Sequence, residues 1–299
     1  MLEKHFKSTI KALLKLPDKT SEPVFYLLAG TPPIKAHVHR RQLSLFGMIT
    51  RLPNNILYKT ATSVLLSSPD TSKSWFVGIR HLCDLYALPS PLQLLQNLPT
   101  KQSFNKLVKS KIIDFWEKHL RSIAATKTSL TYFKPVFMSL TSPHPMFSTC
   151  SSNSFETNKS TCQAALISGR YKTDYLARYW SKENPDGFCV LCPGLMNLDT
   201  LDHFVLHCDA LTAARTNVFN YWQYYSSKDD QLRNLLIMKL RSTTETFMQF
   251  IIDPSVDSEV IRGVQNNLIK LEDVYCLTRT WCYAVHRMKL QLTGRFRKF

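Results

Sequence analysis

Three cysteines and one histidine have the spacing of ligands for a single metal ion. Cys189 and Cys192 are separated by two residues, and His203 and Cys208 complete the pattern C-x2-C-x10-H-x4-C. Thiolate sulfur and imidazole nitrogen are the ligands that tetrahedral Zn²⁺ takes in structural sites. Four protein ligands leave no position for an activated water, so we expect one structural zinc ion that folds the segment and carries out no chemistry.

The fourth ligand has an alternative. Residues 201–210 predict a short helix that carries the last two ligands. His207 lies four residues after His203, on the same face of such a helix, and could replace Cys208. We favour Cys208 and keep His207 as the alternative.

Patterns typical of enzymes are missing from the sequence. It has no Gly-rich phosphate loop of the form G-x4-G-K, no G-x-S-x-G elbow and no H-E-x-x-H motif. The paired acids Asp229 and Asp230 precede a predicted helix, where carboxylates favour the amide end of the dipole. We therefore predict a protein that is not an enzyme and takes no small-molecule substrate.

Composition indicates a mainly α protein. The 299 residues are 44% hydrophobic, which is enough for real cores, and they include only 8 glycines against 15 prolines. Long segments repeat apolar residues every three or four positions. We expect an irregular multi-helix assembly with a small CCHC zinc-knuckle module.

The eight cysteines indicate a reducing environment. A disulfide scaffold is typical of much shorter secreted chains, and we find neither a signal peptide nor an apolar run of the ~20 residues that a membrane span needs. We therefore expect an intracellular protein, in the nucleus or cytoplasm, without a membrane partner.

Prolines and loop-forming residues suggest how the chain is organised. Residues 1–130 predict a basic helical region, with helices at about 4–15, 33–52, 56–66, 75–86 and 101–124 joined by extended or proline-rich connectors. Residues 131–158 are crowded with Ser, Thr and Pro and predict a linker. Residues 159–299 predict a second helical domain that contains the zinc knuckle at 185–210 and one long helix at 260–290.

Basic residues predict binding to a polyanion. The chain has 38 Lys and Arg against 22 Asp and Glu, a formal net charge of +16. Cations recur on several predicted helix faces and in the last five residues, where Phe296 and Phe299 could stack on unpaired bases. The candidate nucleic-acid contacts are Lys4, Lys7, Lys11, Lys15, Lys35, Arg40, Arg41, Lys109, Arg170, Arg295, Arg297 and Lys298.

Four blocks of the sequence resemble one family. Residues 27–30 and 37–49 look like a helical linker that follows the thumb of a polymerase. Residues 165–176, which include Gly169, Arg170 and Tyr171 and are called the Gly-Arg-Tyr block below, are similar to a block that precedes a zinc knuckle. Residues 201–208 are similar to the end of the knuckle itself. Together they resemble the C-terminal part of the reverse-transcriptase polyprotein of LINE-type non-LTR retrotransposons. The resemblance covers about residues 1–225 and is best at 160–215.

The resemblance implies a nucleic-acid-binding module that holds template RNA or target DNA, with a reverse-transcriptase polypeptide as a possible partner. The polymerase and endonuclease regions of such a polyprotein are absent, so we expect a detached C-terminal piece without their activities. A second interpretation is a zinc-stabilised helical scaffold that binds another protein, with an incidental basic charge.

Overall fold

The fold is built from helices joined by turns and by longer irregular segments. The computed structural model describes residues 2–97, 99–178, 184–192 and 196–294. Within these ranges it contains fifteen α-helices and no β-strand, and the extended pairing there is one isolated antiparallel bridge between Phe188 and Leu198. The prediction of a mainly α protein is confirmed.

The first seven helices include the longest one in the described ranges, α7. Their bounds are α1 Leu2–Leu13, α2 Glu22–Ala29, α3 Ile34–Ile49, α4 Ile56–Ser67, α5 Trp75–Leu85, α6 Pro91–Gln96 and α7 Lys101–Ala125.

The remaining eight helices surround the segment with the predicted ligands. Their bounds are α8 Pro145–Ser148, α9 Ser154–Ile167, α10 Asp174–Ala177, α11 Thr212–Ser226, α12 Asp230–Leu240, α13 Thr244–Ile252, α14 Ser258–Gln265 and α15 Leu271–Leu292. A turn of π-helix, His203–His207, lies between α10 and α11.

Buried apolar side chains form two clusters. The smaller one lies among α3 to α7, around Leu43, Phe46 and Phe104. The larger one combines α1, α2 and the end of α7 with α9, α11 to α13 and α15, around Phe25, Trp222 and Phe250. The half-buried Trp116 of α7 packs against both clusters, so α7 joins them.

The predicted linker contributes to the larger cluster. Tyr132, Phe133, Met138, Leu140 and Met146 are all buried in it. The clusters therefore do not separate at residues 131–158, and α1 and α2 share a core with the C-terminal helices. The division of the chain into two domains stays a prediction.

Four helix predictions are corrected by the structure. Helix α2 lies where an extended connector was predicted, α6 lies in the proline-rich connector, and α13 was missed. The single helix expected at 260–290 is two helices, α14 and α15. They are separated by a turn in which Asn267 takes a left-handed conformation with φ of 55°.

Helix α2 ends at a glycine that the fold requires. Pro23 occupies its first turn, where a missing N–H costs nothing. Gly30 ends the helix with φ of 61°, and a Cβ there would lie 1.9 Å from the carbonyl oxygen of Ser142. Only glycine allows this close approach of the 131–158 segment, whose His144 N–H donates to the carbonyl of Leu28 at 3.0 Å.

Among the described helices, none has the length and apolar composition needed to cross a lipid bilayer.

Candidate metal centre

The structure brings the four predicted ligands together. The Sγ atoms of Cys189, Cys192 and Cys208 and a ring nitrogen of His203 all lie within 4.8 Å of one another, and all four residues are buried. Sγ of Cys208 lies 3.8 Å from that of Cys189 and 3.6 Å from that of Cys192. Nε2 of His203 lies 3.6 Å from Sγ of Cys192. This cluster can hold one metal ion.

These separations match a tetrahedral shell. Metal–sulfur bonds of about 2.3 Å and metal–nitrogen bonds of about 2.0 Å, at tetrahedral angles, place two sulfurs about 3.8 Å apart and a sulfur and a nitrogen about 3.6 Å apart. A disulfide would instead require about 2.05 Å between two sulfurs. The three sulfurs are therefore spaced as ligands of one ion.

The first two ligands lie in a short turn held by backbone hydrogen bonds. Cys189 N–H donates to the carbonyl of Asn197 at 2.8 Å, next to the bridge between Phe188 and Leu198. Cys192 N–H donates to the carbonyl of Cys189 at 3.2 Å, which closes the turn. Both sulfurs therefore lie on the side of this turn that faces His203 and Cys208.

The last two ligands are brought together by a π-helical turn. Thr200 Oγ1 accepts from the N–H of His203 at 3.2 Å, and Cys208 N–H donates to the carbonyl of His203, five residues earlier, at 2.7 Å. This wider turn places Cys208 beside His203. His207 is exposed and lies outside the cluster.

Hydrogen bonding among the thiols perturbs their acidity. A bond between Cys189 and Cys208 raises the pKa of the Cys189 thiol above its usual range and lowers the pKa of the Cys208 thiol. Burial lowers the pKa of His203, which favours the neutral imidazole that binds metals. A divalent ion would stabilise the thiolate forms of the cysteines.

Two cations that the sequence did not reveal lie close to the centre. Arg215 Nη2 donates to the carbonyl of Cys208 at 2.6 Å, and its Nη1 is buried without a hydrogen-bond partner. Lys289 of α15 is buried and pairs with Asp199 at 2.6 Å. Both positive charges lie near a ligand set that would carry three thiolate charges.

The candidate metal centre packs against α15 and the Gly-Arg-Tyr block. Trp281 Nε1 donates to the carbonyl of Val205 at 3.3 Å. The ring of Phe204 stacks on Tyr171 at a centroid distance of 4.7 Å and lies 4.9 Å from Nζ of Lys289. The segment is therefore part of the larger core.

The predicted nucleic-acid contacts differ in their surroundings. Lys7 is half-buried and pairs with Glu3 and Glu22, while Lys11 lies over the ring of Phe25 at 5.1 Å. Arg170 is half-buried. The exposed members of the set are Lys4, Lys15, Lys35, Arg40, Arg41 and Lys109.

Lys15, although exposed, binds Oδ1 of Asn158 at 2.8 Å and so joins the chain after α1 to α9. Arg295, Arg297, Lys298 and the two terminal aromatics lie outside the described residues.

Comparison with protein-family models, with curated proteins and with solved structures finds no match for this chain.

Proposed function

We propose that this protein binds nucleic acid through a basic helical surface and is stabilised by one structural zinc ion in the Cys189, Cys192, His203 and Cys208 site. Zinc is favoured because three thiolates and one imidazole are a ligand set of structural zinc sites, and because the ligand separations fit its bond lengths. When bound, zinc would supply folding energy, because four protein ligands complete its shell.

The observation that carries the nucleic-acid proposal is an excess of cations on three helices that pack in sequence against one another. Helix α1 packs against α3, and α3 packs against α7. These helices have three, three and six Lys or Arg residues, against one, none and two acids. Side chains of one sign on neighbouring helices are what a phosphate backbone requires.

Two titratable groups where α1 and α3 meet have pKa values that these cations help to lower. A hydrogen bond from Lys7, its charge and that of Lys35 lower the pKa of Glu3. Burial, followed by the charge of Arg40, lowers the pKa of His37. The pKa shifts thus support a positive surface where α1 and α3 meet.

The family resemblance extends this proposal. The ligand spacing and the Gly-Arg-Tyr block suggest a module that follows the polymerase of a LINE-type retrotransposon, with RNA or DNA as partner and a reverse-transcriptase polypeptide beside it. Under this proposal the chain contributes binding and no catalysis.

A row of exposed apolar residues favours the second candidate, a zinc-stabilised scaffold that binds another protein. Val38, Leu45 and Met48 of α3 are 42%, 46% and 48% exposed. Their spacing places them along one side of the helix. A protein that binds a partner through this row would not require its cations.

A salt titration separates the two candidates. Fluorescence anisotropy would follow a labelled single strand across a series of salt concentrations, and we expect log K to fall linearly with log salt at a slope near −0.7 for each phosphate neutralised. Binding that is absent at low salt, or indifferent to salt, supports the scaffold.

The matched variants for this titration each remove four exposed cations. The test variant replaces cations of the proposed surface with Gln, and the control replaces cations of the C-terminal helices and turns, so both lose the same charge. The test set is Lys4, Lys35, Arg40 and Arg41, and the control set is Lys228, Arg241, Arg262 and Lys270. We expect the test variant to bind more weakly and with a flatter slope than the control.

A further inference from the structure

A cleft with polar and aromatic walls lies beside the candidate metal centre. Its volume is about 260 Å³, and it is formed by three segments: residues 128–132 after α7, residues 166–176 around the Gly-Arg-Tyr block, and residues 200–202 before the π-helical turn. Ordinary ligand pockets measure roughly 300–1,000 Å³, so this cleft suits a single small ring system.

A glycine lets two of the segments that form the cleft approach each other closely. Gly169, two residues after the end of α9, has φ of 63°, and a Cβ there would lie 2.0 Å from the carbonyl oxygen of Ser129. The 128–132 segment can therefore approach the Gly-Arg-Tyr block only because this residue is glycine. Tyr171 is fixed as well, since its hydroxyl bonds Nδ1 of His286 at 2.8 Å and its ring stacks on Phe204.

The walls suit a flat, uncharged ring and not a phosphate. None of the fourteen residues that line the cleft, all in the described ranges, is Lys, Arg or His. Tyr132, Tyr171 and Tyr175 supply aromatic surface, while Leu166 and Leu201 supply aliphatic surface. Base rings pack on such surfaces.

Within the described ranges no cation lines the cleft, but several adjoin its lining residues. Arg170 and Lys172 flank the lining residue Tyr171 in the sequence, and Lys127 precedes the lining residue Thr128. Arg178 lies over the ring of Tyr175, with 3.9 Å between Cζ and the ring centroid. A cavity without cations in its lining, next to residues that carry them, is the arrangement that a base with flanking phosphates requires.

One carboxylate gives the cleft a hydrogen-bonding preference. Asp202 Oδ1 accepts from the hydroxyl of Tyr132 at 2.5 Å. Burial and this bond raise the pKa of Tyr132, so the phenol keeps its proton and donates. Among the described residues no partner is bonded to Oδ2 of Asp202, which can therefore accept from a ligand's N–H.

We propose that this cleft holds one unpaired base bearing an exocyclic amino group, which donates to Oδ2 of Asp202 while the cations around the cleft hold the adjacent phosphates. This inference rests on the proposed nucleic-acid binding and adds a base preference to it. Cytosine meets the requirement and uracil does not, because uracil has a carbonyl oxygen where cytosine has an amino group.

The test compares homopolymers of deoxycytidine and deoxyuridine of equal length by fluorescence anisotropy. The protein should prefer the deoxycytidine strand by roughly three- to tenfold, the worth of one hydrogen bond. Asp202→Asn keeps an acceptor for Tyr132 but places an amide donor in the cleft, so the preference should disappear or reverse. The salt dependence should stay the same.

Asp209→Asn is the matched control, because it removes an exposed carboxylate that does not line the cleft and should keep the preference. Metal content of all three proteins is measured alongside. Equal affinity of the natural protein for both strands, or a preference that survives Asp202→Asn, overturns the cleft assignment alone. Failure to bind either strand at low salt overturns the proposed function as well.

A second measurement does not depend on any variant. A strand carrying 5-iododeoxycytidine should photocrosslink to the peptide that contains Tyr171 and Tyr175. Crosslinks confined to other peptides would place the base elsewhere and overturn the assignment.

Discussion

Nζ of Lys289 lies 2.6 Å from Oδ2 of Asp199, and the two side chains are only 6% and 1% exposed. The same carboxylate oxygen accepts from the backbone N–H of Asp174 at 2.6 Å. One buried ion pair thus joins α15, the start of α10 and the segment between the two pairs of predicted ligands. The candidate metal centre is attached to the core at this point.

Removing the lysine should destabilise the protein strongly. Lys289→Met leaves the Asp199 carboxylate buried and unpaired, and breaking a buried pair in this way costs about 3–5 kcal/mol. Urea unfolding measures the loss. The double variant Lys289→Met with Asp199→Asn should lose less unfolding free energy than Lys289→Met alone, because no uncompensated charge remains. If the double variant is the less stable of the two, the pair does not act as described.

The ligand set predicts which substitutions release metal. Cys208→Ser should lose the ion, and His207→Ala should retain it, because His207 is exposed and outside the cluster. Elemental analysis of protein purified under reducing conditions should find one zinc per chain in His207→Ala and much less in Cys208→Ser. The reverse result would show that His207 is the fourth ligand.

Loss of zinc should unfold one part of the protein. Structural zinc contributes about 10–16 kcal/mol of apparent binding free energy in small zinc modules. Cys192→Ser should therefore expose the amides of residues 185–210 to hydrogen exchange, while α4 and α5, in the other apolar cluster, keep their protection. Equal loss of protection in both regions would contradict a local effect.

Arg215 should raise the affinity for zinc without binding it. Its guanidinium donates to the carbonyl of Cys208 and offsets thiolate charge, and such supporting residues are worth about 10–100-fold in metal affinity. Arg215→Gln should lower zinc affinity by that factor in a chelator competition. Arg233→Gln is the control, because Arg233 is exposed and pairs with Asp230. An unchanged affinity in Arg215→Gln would remove this role.

Short-range patterns predicted much of the fold. Helices α3 and α7 lie within two or three residues of their predicted ends, because apolar periodicity, prolines and caps are local signals. Asp229 acts as predicted at the start of α12, accepting from the N–H groups of Gln231 and Leu232 at 3.0 Å each. The four ligands were predictable for the same reason, since their spacing is local.

Features that depend on the tertiary structure were not predictable. Helix α2 is buried on all sides from Pro23 to Leu28, so it has no polar face and no periodic signal. The end of α13 is also buried nearly all round, so this helix gives no clear periodic signal either. The bond between Lys289 and Asp199 joins residues ninety positions apart, and nothing near either residue indicates the other.

The contribution of Asp253 to the stability of the fold should be lost at acid pH. This carboxylate is buried against His144, with 3.3 Å between Oδ2 and Nε2, and its Oδ1 accepts from the hydroxyl of Tyr275 at 3.0 Å. Burial acts to raise the pKa of Asp253, but the neighbouring His144 and the hydrogen bonds from Ser255 and Tyr275 outweigh it, so the pKa is lowered. The ionised form is therefore the form that stabilises the fold.

The sign of the pH effect follows from this lowered pKa. An unfolded aspartate has a pKa of about 3.9, so the contribution of Asp253 is fully present above that pH and is lost as the pH falls through the lower value in the folded protein. Asp253→Asn should be less stable than the natural protein at pH ~7, and the difference should shrink below pH ~4. Urea unfolding of both proteins across this range measures it, and subtraction cancels the acid release of metal from the Cys3His site, which both proteins share. A difference that is constant with pH, or that grows in acid, would show that Asp253 is not stabilised in its ionised form.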